Sequence, residues 1–143
     1  MSAGAAAVEV HGFGGDPAGP AVARAARNAL RVLRCPRLGA AFCAVGAAES
    51  ARLNRAWRHR AGAADVLSFA CPAGGPGGNL GEVYLCLPLI RRRARRLGLA
   101  PRRWIVELAV HGLLHLMGFH HGTREAADRM LTVQRAIVHG VRR

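Results

Sequence analysis

Four histidines fall within eleven residues, HGLLHLMGFHH at 111–121, in a stretch that otherwise reads as core. Imidazole is a poor core residue and a good metal ligand. On an α-helix four residues turn about 400°, so His111 and His115 stand one above the other and can share one ion. Gly118 follows three residues later and can end the helix with φ > 0. The chain then folds back and delivers a third ligand. Of the two candidates, His120 and His121, only one can face the ion, because adjacent residues in an extended segment point in roughly opposite directions. The spacing His, +4, +10 with glycine at +7 selects His121. His120 then projects away or sits beside the site as a proton-transfer partner. The bland alternative is that His111 and His115 are hydrogen-bonded core histidines, the usual fate of a lone HxxxH pair.

The same spacing matches the metzincin pattern HExxHxxGxxH, with the glutamate missing. Gly112 stands where a zinc peptidase carries its general base. Three neutral imidazoles leave the full charge of a divalent ion, keep a fourth position open and can lower the pKa of a bound water toward ~7. Such a site suits an anionic phosphodiester. Glu107, one turn before His111, is a candidate to orient an imidazole, or else pairs with Arg103 at i−4. Imidazole accepts zinc, nickel and iron alike; the expectation is one zinc ion per chain.

These side chains need a scaffold. Alternating apolar residues predict strands at 8–13, 40–46, 65–71 and 80–87. Helical periodicity predicts five helices: one opening at Asp16 and Pro17, with Val22, Ala26, Ala29, Leu30 and Leu33 on one face; one at 47–60, pairing Leu53 with Trp57; then 87–99, 101–118 and 123–141. Gly118 is the expected cap of the fourth helix and Thr123 of the fifth, whose inner side carries Ala127, Met130, Leu131 and Ile137. The glycine- and proline-rich segment 72–79 reads as a tight strand connection. It has no GKS or GKT sequel, so no nucleotide cofactor is expected. The expected fold class is α+β: a small mixed sheet of about four strands covered by about five helices, with a metzincin-like zinc-binding helix, in one domain over 1–143.

All 21 basic side chains are arginine against 8 acids, a formal charge of +13. A field of that sign favours polyanions, and RNA or a ribosome is the commonest such partner. In the run RRRARR at 91–96, Arg91, Arg92 and Arg95 are candidate RNA contacts. Seven aromatic residues are too few to suggest a base-stacking platform. His11, His59 and His139 read as surface residues. No apolar run approaches the ~18 residues of a bilayer span, and no secretory signal is recognisable at the start, so no membrane partner is expected. Cys35, Cys43, Cys71 and Cys86 form no CxxC pair and read as reduced thiols, which suits a cytoplasmic compartment. The oligomeric state stays open.

Taken in order, the motifs resemble the YbeY family of zinc-dependent endoribonucleases. That family's HGxLHLxGYDH aligns with HGLLHLMGFHH. Its LNxxYRxxDxPTDVLSFP aligns with LNRAWRHRAGAADVLSFA, which keeps Leu53, Asn54, Arg58, Asp65, Val66, Leu67, Ser68 and Phe69; LGDIvI aligns with LGEVYL from Leu80, and Met130 falls where the family has methionine. The resemblance implies a single-strand-specific endoribonuclease in rRNA maturation (16S-type 3′ end processing) and ribosome quality control, acting on the small subunit in the bacterial cytoplasm. It implies His111, His115 and His121 as zinc ligands and Arg58 as the basic active-site residue on the phosphate. Asp65 and Ser68 would be structural, with Asp65 able to reach Arg58. The chain departs at Trp57, Ala64, Ala70, Phe119 and His120, where the family carries tyrosine, threonine, proline, tyrosine and aspartate. Two other readings compete: a non-catalytic ribosome-assembly factor with a structural metal, and a zinc peptidase. Gly112 and the charge argue against the peptidase.

Overall fold

The computed structural model describes residues 7–71 and 76–141. The chain forms four strands, β1 (Val8–His11), β2 (Gly39–Val45), β3 (Val66–Ala70) and β4 (Asn79–Cys86), and five helices, three of which follow the last strand. The helices are α1 (Ala18–Val32), α2 (Ala47–Arg58), α3 (Leu87–Arg96), α4 (Pro101–Leu116) and α5 (Arg124–Val141). The sheet order is β1-β2-β4-β3. The first three of these run parallel and β3 is antiparallel to β4. The expected mixed sheet of four strands under five helices is therefore the one observed. Of the expected 72–79 connection, 72–75 lie outside the described residues, and 76–78 form a short 3-10 turn.

One face of the sheet carries the core. Phe42, Val83 and Leu85 are fully buried there, against an α1 stripe of Val22, Ala25, Ala29 and Leu30. Small residues at that spacing let α1 lie close to its neighbours. The central helix is α4, buried nearly all round through Ile105, Val110, Leu113 and Leu114. Its one incompletely sealed stripe beyond the first turn is Glu107, His111 and His115, at four-residue spacing. A helix surrounded on every other side thus leaves a single polar seam.

The other sheet face is covered by α2, through Ser50, Leu53 and Asn54. Trp57 does not join Leu53 on that buried face; it is 67% exposed, its ring meeting Phe69 edge-on. Leu131 is also exposed, and the inner stripe of α5 is instead Ala126, Met130, Gln134 and Ile137.

The ends of the helices follow their capping chemistry. Gly118, at φ +96°, closes α4: Phe119 N–H donates to Leu114 O (3.0 Å) and Gly118 N–H to His115 O (3.1 Å). Thr123 Oγ1 accepts from Ala126 N–H at 3.1 Å and opens α5. Asp16 accepts from Ala18 N–H at the start of α1 and pairs with Arg91 of α3. The backbone bond first, then the Arg91 guanidinium, hold its carboxyl below the ordinary range.

Gly112 sets how closely α4 approaches the sheet. A Cβ there would lie 2.6 Å from Val83 Cγ1 and 3.0 Å from Ser68 Oγ. Val83 is β-branched and fully buried, so it cannot turn away. Overpacking of this kind costs about 1–3 kcal/mol, while alanine returns up to ~1 kcal/mol of helix propensity. Gly112→Ala is expected to lower the unfolding free energy by a net of about 1 kcal/mol, read from urea denaturation; an unchanged midpoint would show that the helix can shift freely.

Candidate metal centre

His111 and His115 project from the polar seam of α4, and the turn after Gly118 brings His121 back over them. One nitrogen from each of the three rings lies within 4.8 Å of the others. His111 Nε2 and His115 Nε2 are 3.1 Å apart. Each ring has its other nitrogen engaged: His111 Nδ1 faces Gln134 Oε1 at 3.0 Å, and His115 Nδ1 faces Phe119 O at 3.1 Å. Both acceptors are carbonyls, so each Nδ1 is the N–H donor and each Nε2 presents a lone pair. Two lone pairs at 3.1 Å repel unless a cation lies between them. Tetrahedral zinc with bonds of 2.0–2.1 Å sets ligand nitrogens about 3.3 Å apart, close to the His111–His115 separation, with all three nitrogens within 4.8 Å of one another. The donor set therefore fits a divalent ion.

Burial is the main cause that holds both imidazoles below their ordinary value of 6.5. For His111 the Gln134 bond and Asp65 oppose it and His121 adds to it. For His115, His111, His121 and Arg58 add to it, and the Phe119 carbonyl opposes it. Both rings stay neutral, and able to ligate, to lower pH than a free histidine.

Arg58 borders the same cleft of about 420 Å³, with Ser68, Ala70 and the three histidines. It is the last residue of α2, before His59 turns left-handed at φ 56°. The following loop is tied down by Asn54, whose Nδ2 donates to Gly62 O (2.9 Å), and by Ser50, whose hydroxyl donates to Ala64 O (2.7 Å) and accepts from Ala64 N–H (2.9 Å). Arg58 Nη2 donates to Ser68 O at 2.6 Å, and its guanidinium carbon lies 5.5 Å from the Phe69 ring centroid. Ser68 uses its hydroxyl for the helix, donating to Gly112 O at 3.1 Å.

β3 turns its free edge to this cleft. Cys86 N–H donates to Asp65 O and Cys71 N–H to Leu80 O, both at 2.9 Å. With the register Val66↔Leu85 through Ala70↔Gly81, the backbone groups of residues 66, 68 and 70 point away from β4. Arg58 caps one of those outward carbonyls.

Other expected residues lie elsewhere. His120 is exposed, accepts from Gly122 N–H at 3.1 Å, and borders a separate hollow with Phe119 and Arg129. Glu107 forms neither a hydrogen bond to His111 nor an ion pair with Arg103 among the described residues; the imidazole is held from α5 instead. Asp65 pairs with Arg93 at 3.0 Å, not with Arg58. Arg91 is engaged by Asp16, whereas Arg92 and Arg95 are exposed. The residue that sequence reading missed is Gln134. Its signal was a lone amide in the apolar stripe of α5, every other member of which is aliphatic or Met.

A family model described as endoribonuclease YbeY matches residues 23–142. The chain belongs to the endoribonuclease YbeY family. This places it among enzymes named for internal cleavage of RNA. The endoribonuclease YbeY of Bordetella petrii is 36% identical over 108 residues, covering 76% of this chain and 70% of that protein. That of Methylococcus capsulatus is 36% identical over 95 residues, 65% of this chain and 63% of the relative. The solution structure of TM1509 from Thermotoga maritima shares the fold with a TM-score of 0.70 at 21% identity, covering 94% of this chain and 87% of that one. The YbeY match runs from within α1 through α5 and so includes every residue of the histidine cluster.

His121→Ala is expected to abolish stoichiometric metal while His120→Ala keeps it, as measured by metal analysis of purified protein; the reverse result would reassign the ligand. Gln134→Leu should weaken metal affinity by about 10–100-fold. The lowered histidine pKa values also carry a sign for stability. Below ~6.5 the unfolded chain binds protons that the folded metal-free chain refuses, so stability is lost as pH falls from there through the lowered values. Urea midpoints of metal-free protein should drop between about pH 7 and 5, and a rise would contradict neutral histidines.

Proposed function

We propose that this chain is a zinc-dependent, single-strand-specific endoribonuclease acting on ribosomal RNA, with 16S-type 3′ end processing and ribosome quality control as its setting in the bacterial cytoplasm. The observation that carries the reading is the convergence of three imidazole nitrogens within 4.8 Å in a cleft that also holds an arginine. His111, His115 and His121 would hold the ion, which when bound supplies Lewis-acid polarisation of a phosphodiester oxygen. Gln134 and the Phe119 carbonyl keep two of the rings in the ligating tautomer. Arg58, oriented by Ser68 O and Phe69, offers its remaining N–H groups to the phosphate. The exposed arginines, Arg92 and Arg95 of α3 among them, would hold the flanking backbone. The four free cysteines suit a reducing compartment, and among the described residues no helix is long and apolar enough to cross a membrane.

Two features weigh against a peptidase. Gly112 has no room for a carboxylate. Arg58 also occupies the outward Ser68 carbonyl that an incoming peptide strand would use. A purely structural metal is disfavoured by the open cleft, since structural zinc sites are closed by four protein ligands.

Metal-loaded protein is expected to cut single-stranded RNA, to lose that activity to a chelator and regain it with zinc, and to leave casein intact. Arg58→Ala should lower the turnover number by about 10²-fold with metal content unchanged, on the scale of losing one preorganised charge donor. Full metal content without cleavage would favour the assembly-factor reading, and chelator-sensitive proteolysis would restore the peptidase.

A further inference from the structure

The chain has two tryptophans. Trp104 packs partly buried against the core, while Trp57 is 67% exposed. An indole left in water forgoes the burial an aromatic of that size otherwise gains. Its surroundings are specific. Trp57 immediately precedes Arg58, and its ring meets Phe69 edge-on, with centroids 6.4 Å apart and planes at 65°. Phe69 also meets Tyr84 edge-on at 5.7 Å and carries the Arg58 guanidinium at 5.5 Å. It sits on β3 between Ser68 and Ala70, both of which border the histidine cleft. One ring thus positions both the cleft arginine and the exposed indole beside it.

The charged neighbours of Trp57 along the chain have one sign, and Glu82, across the sheet from Phe69, accepts from the Tyr84 hydroxyl at 3.0 Å. Arg55, Arg58 and Arg60 are exposed, and none of them is in an ion pair among the described residues, where the paired arginines are Arg52, Arg91 and Arg93. Arg55, His59 and Arg60 border a further hollow of about 390 Å³. An exposed aromatic face among unpaired guanidinium groups is the composition that single-stranded nucleic acid recognises: bases stack on the ring and phosphates meet the cations. A protein partner would need carboxylates to answer these cations; RNA brings a phosphate with every base.

We propose that Trp57 is the stacking platform for a nucleobase flanking the phosphate held in the cleft, with Arg55 and Arg60 gripping the backbone beyond it. This rests on the nuclease reading above and extends it to how the strand is held. Because every base has a π-face, the subsite tolerates any base. It disfavours duplex, whose bases already stack on one another. The small number of aromatics is then no objection, since a single ring suffices.

The test uses metal-loaded Trp104→Phe protein, in which Trp57 is the sole indole. It is titrated with a single-stranded oligoribonucleotide, and with the same strand made abasic at each position in turn. RNA is expected to quench the Trp57 fluorescence, and one abasic position should relieve the quench. In cleavage assays Trp57→Ala should lower kcat/KM about tenfold, Trp57→Phe should retain most of it, and the abasic strand should cost Trp57→Ala nothing further. A merely structural tryptophan would give additive losses, which would overturn the proposal. So would an indole that RNA leaves unquenched, which would mark the surface as a protein contact. Should the wild-type protein cut no RNA, the nuclease reading falls, while the fluorescence titration still decides the stacking.

Discussion

The absent side chain at residue 112 governs the distance between α4 and the sheet, and the candidate site depends on that distance. With Gly112 against Val83 and Ser68, the helix carrying His111 and His115 lies flush on β3 and β4. Ser68 then works in two directions. Its hydroxyl donates to the Gly112 carbonyl and its own carbonyl accepts from Arg58. The helix that bears two histidines and the arginine from the opposite sheet face are thus referenced to one residue of an edge strand. A shift of α4 away from the sheet would separate the imidazoles from Arg58 and loosen the strand between them.

Electrostatics follow from the same arrangement. Burial at the seam of α4 holds the His111 and His115 imidazoles below their ordinary value, and Arg58 adds a smaller push on His115, while 21 arginines against 8 acids set a positive field around them. The rings are therefore neutral and suited to a cation. The acids do little to cancel the surrounding field. Asp16 joins α1 to α3 through Arg91, Asp65 holds Arg93, and Glu49 holds Arg52 within α2. The exposed Glu49–Arg52 pair contributes only about 0–1 kcal/mol, and the three pairs together leave a majority of the described arginines outside any ion pair and open to a polyanion.

The fold was largely legible because its signals are periodic. Alternation marked the four strands and the i, i+4 stripes marked the five helices. The Gly118 and Thr123 caps could be named in advance because a left-handed turn and a hydroxyl cap demand those residue types. The spacing of His111, His115 and His121 carried the histidine cluster, since a helix and one turn suffice to bring them together. Contacts across long stretches of sequence were not legible. Gln134 reaches His111 from 23 residues away, and nothing local distinguishes it from a surface glutamine except its place in an apolar stripe. Glu107 looked well placed by helical spacing, but a neighbouring turn on one helix does not bring a carboxylate to an imidazole held from another. Trp57 was misjudged for a related reason: periodicity gives the face of a helix but not where the surface beneath it ends.

The places where the chain departs from the YbeY signature gain a physical explanation. At residue 119 phenylalanine replaces tyrosine, yet the contact that matters is the backbone carbonyl, which accepts from His115 Nδ1. At residue 64 alanine replaces threonine, and again the backbone is engaged, through both its N–H and its carbonyl to Ser50 Oγ. Histidine for aspartate at 120 falls on an exposed side chain outside the three-histidine cluster. At none of these three positions does the histidine cluster use the side chain. The exchange at 57 is of another kind. Tryptophan in place of tyrosine presents a larger aromatic face, and here that face is turned largely to solvent beside Arg58. A large aromatic that stays two-thirds in solvent gains little from packing, which is what directs attention to a ligand.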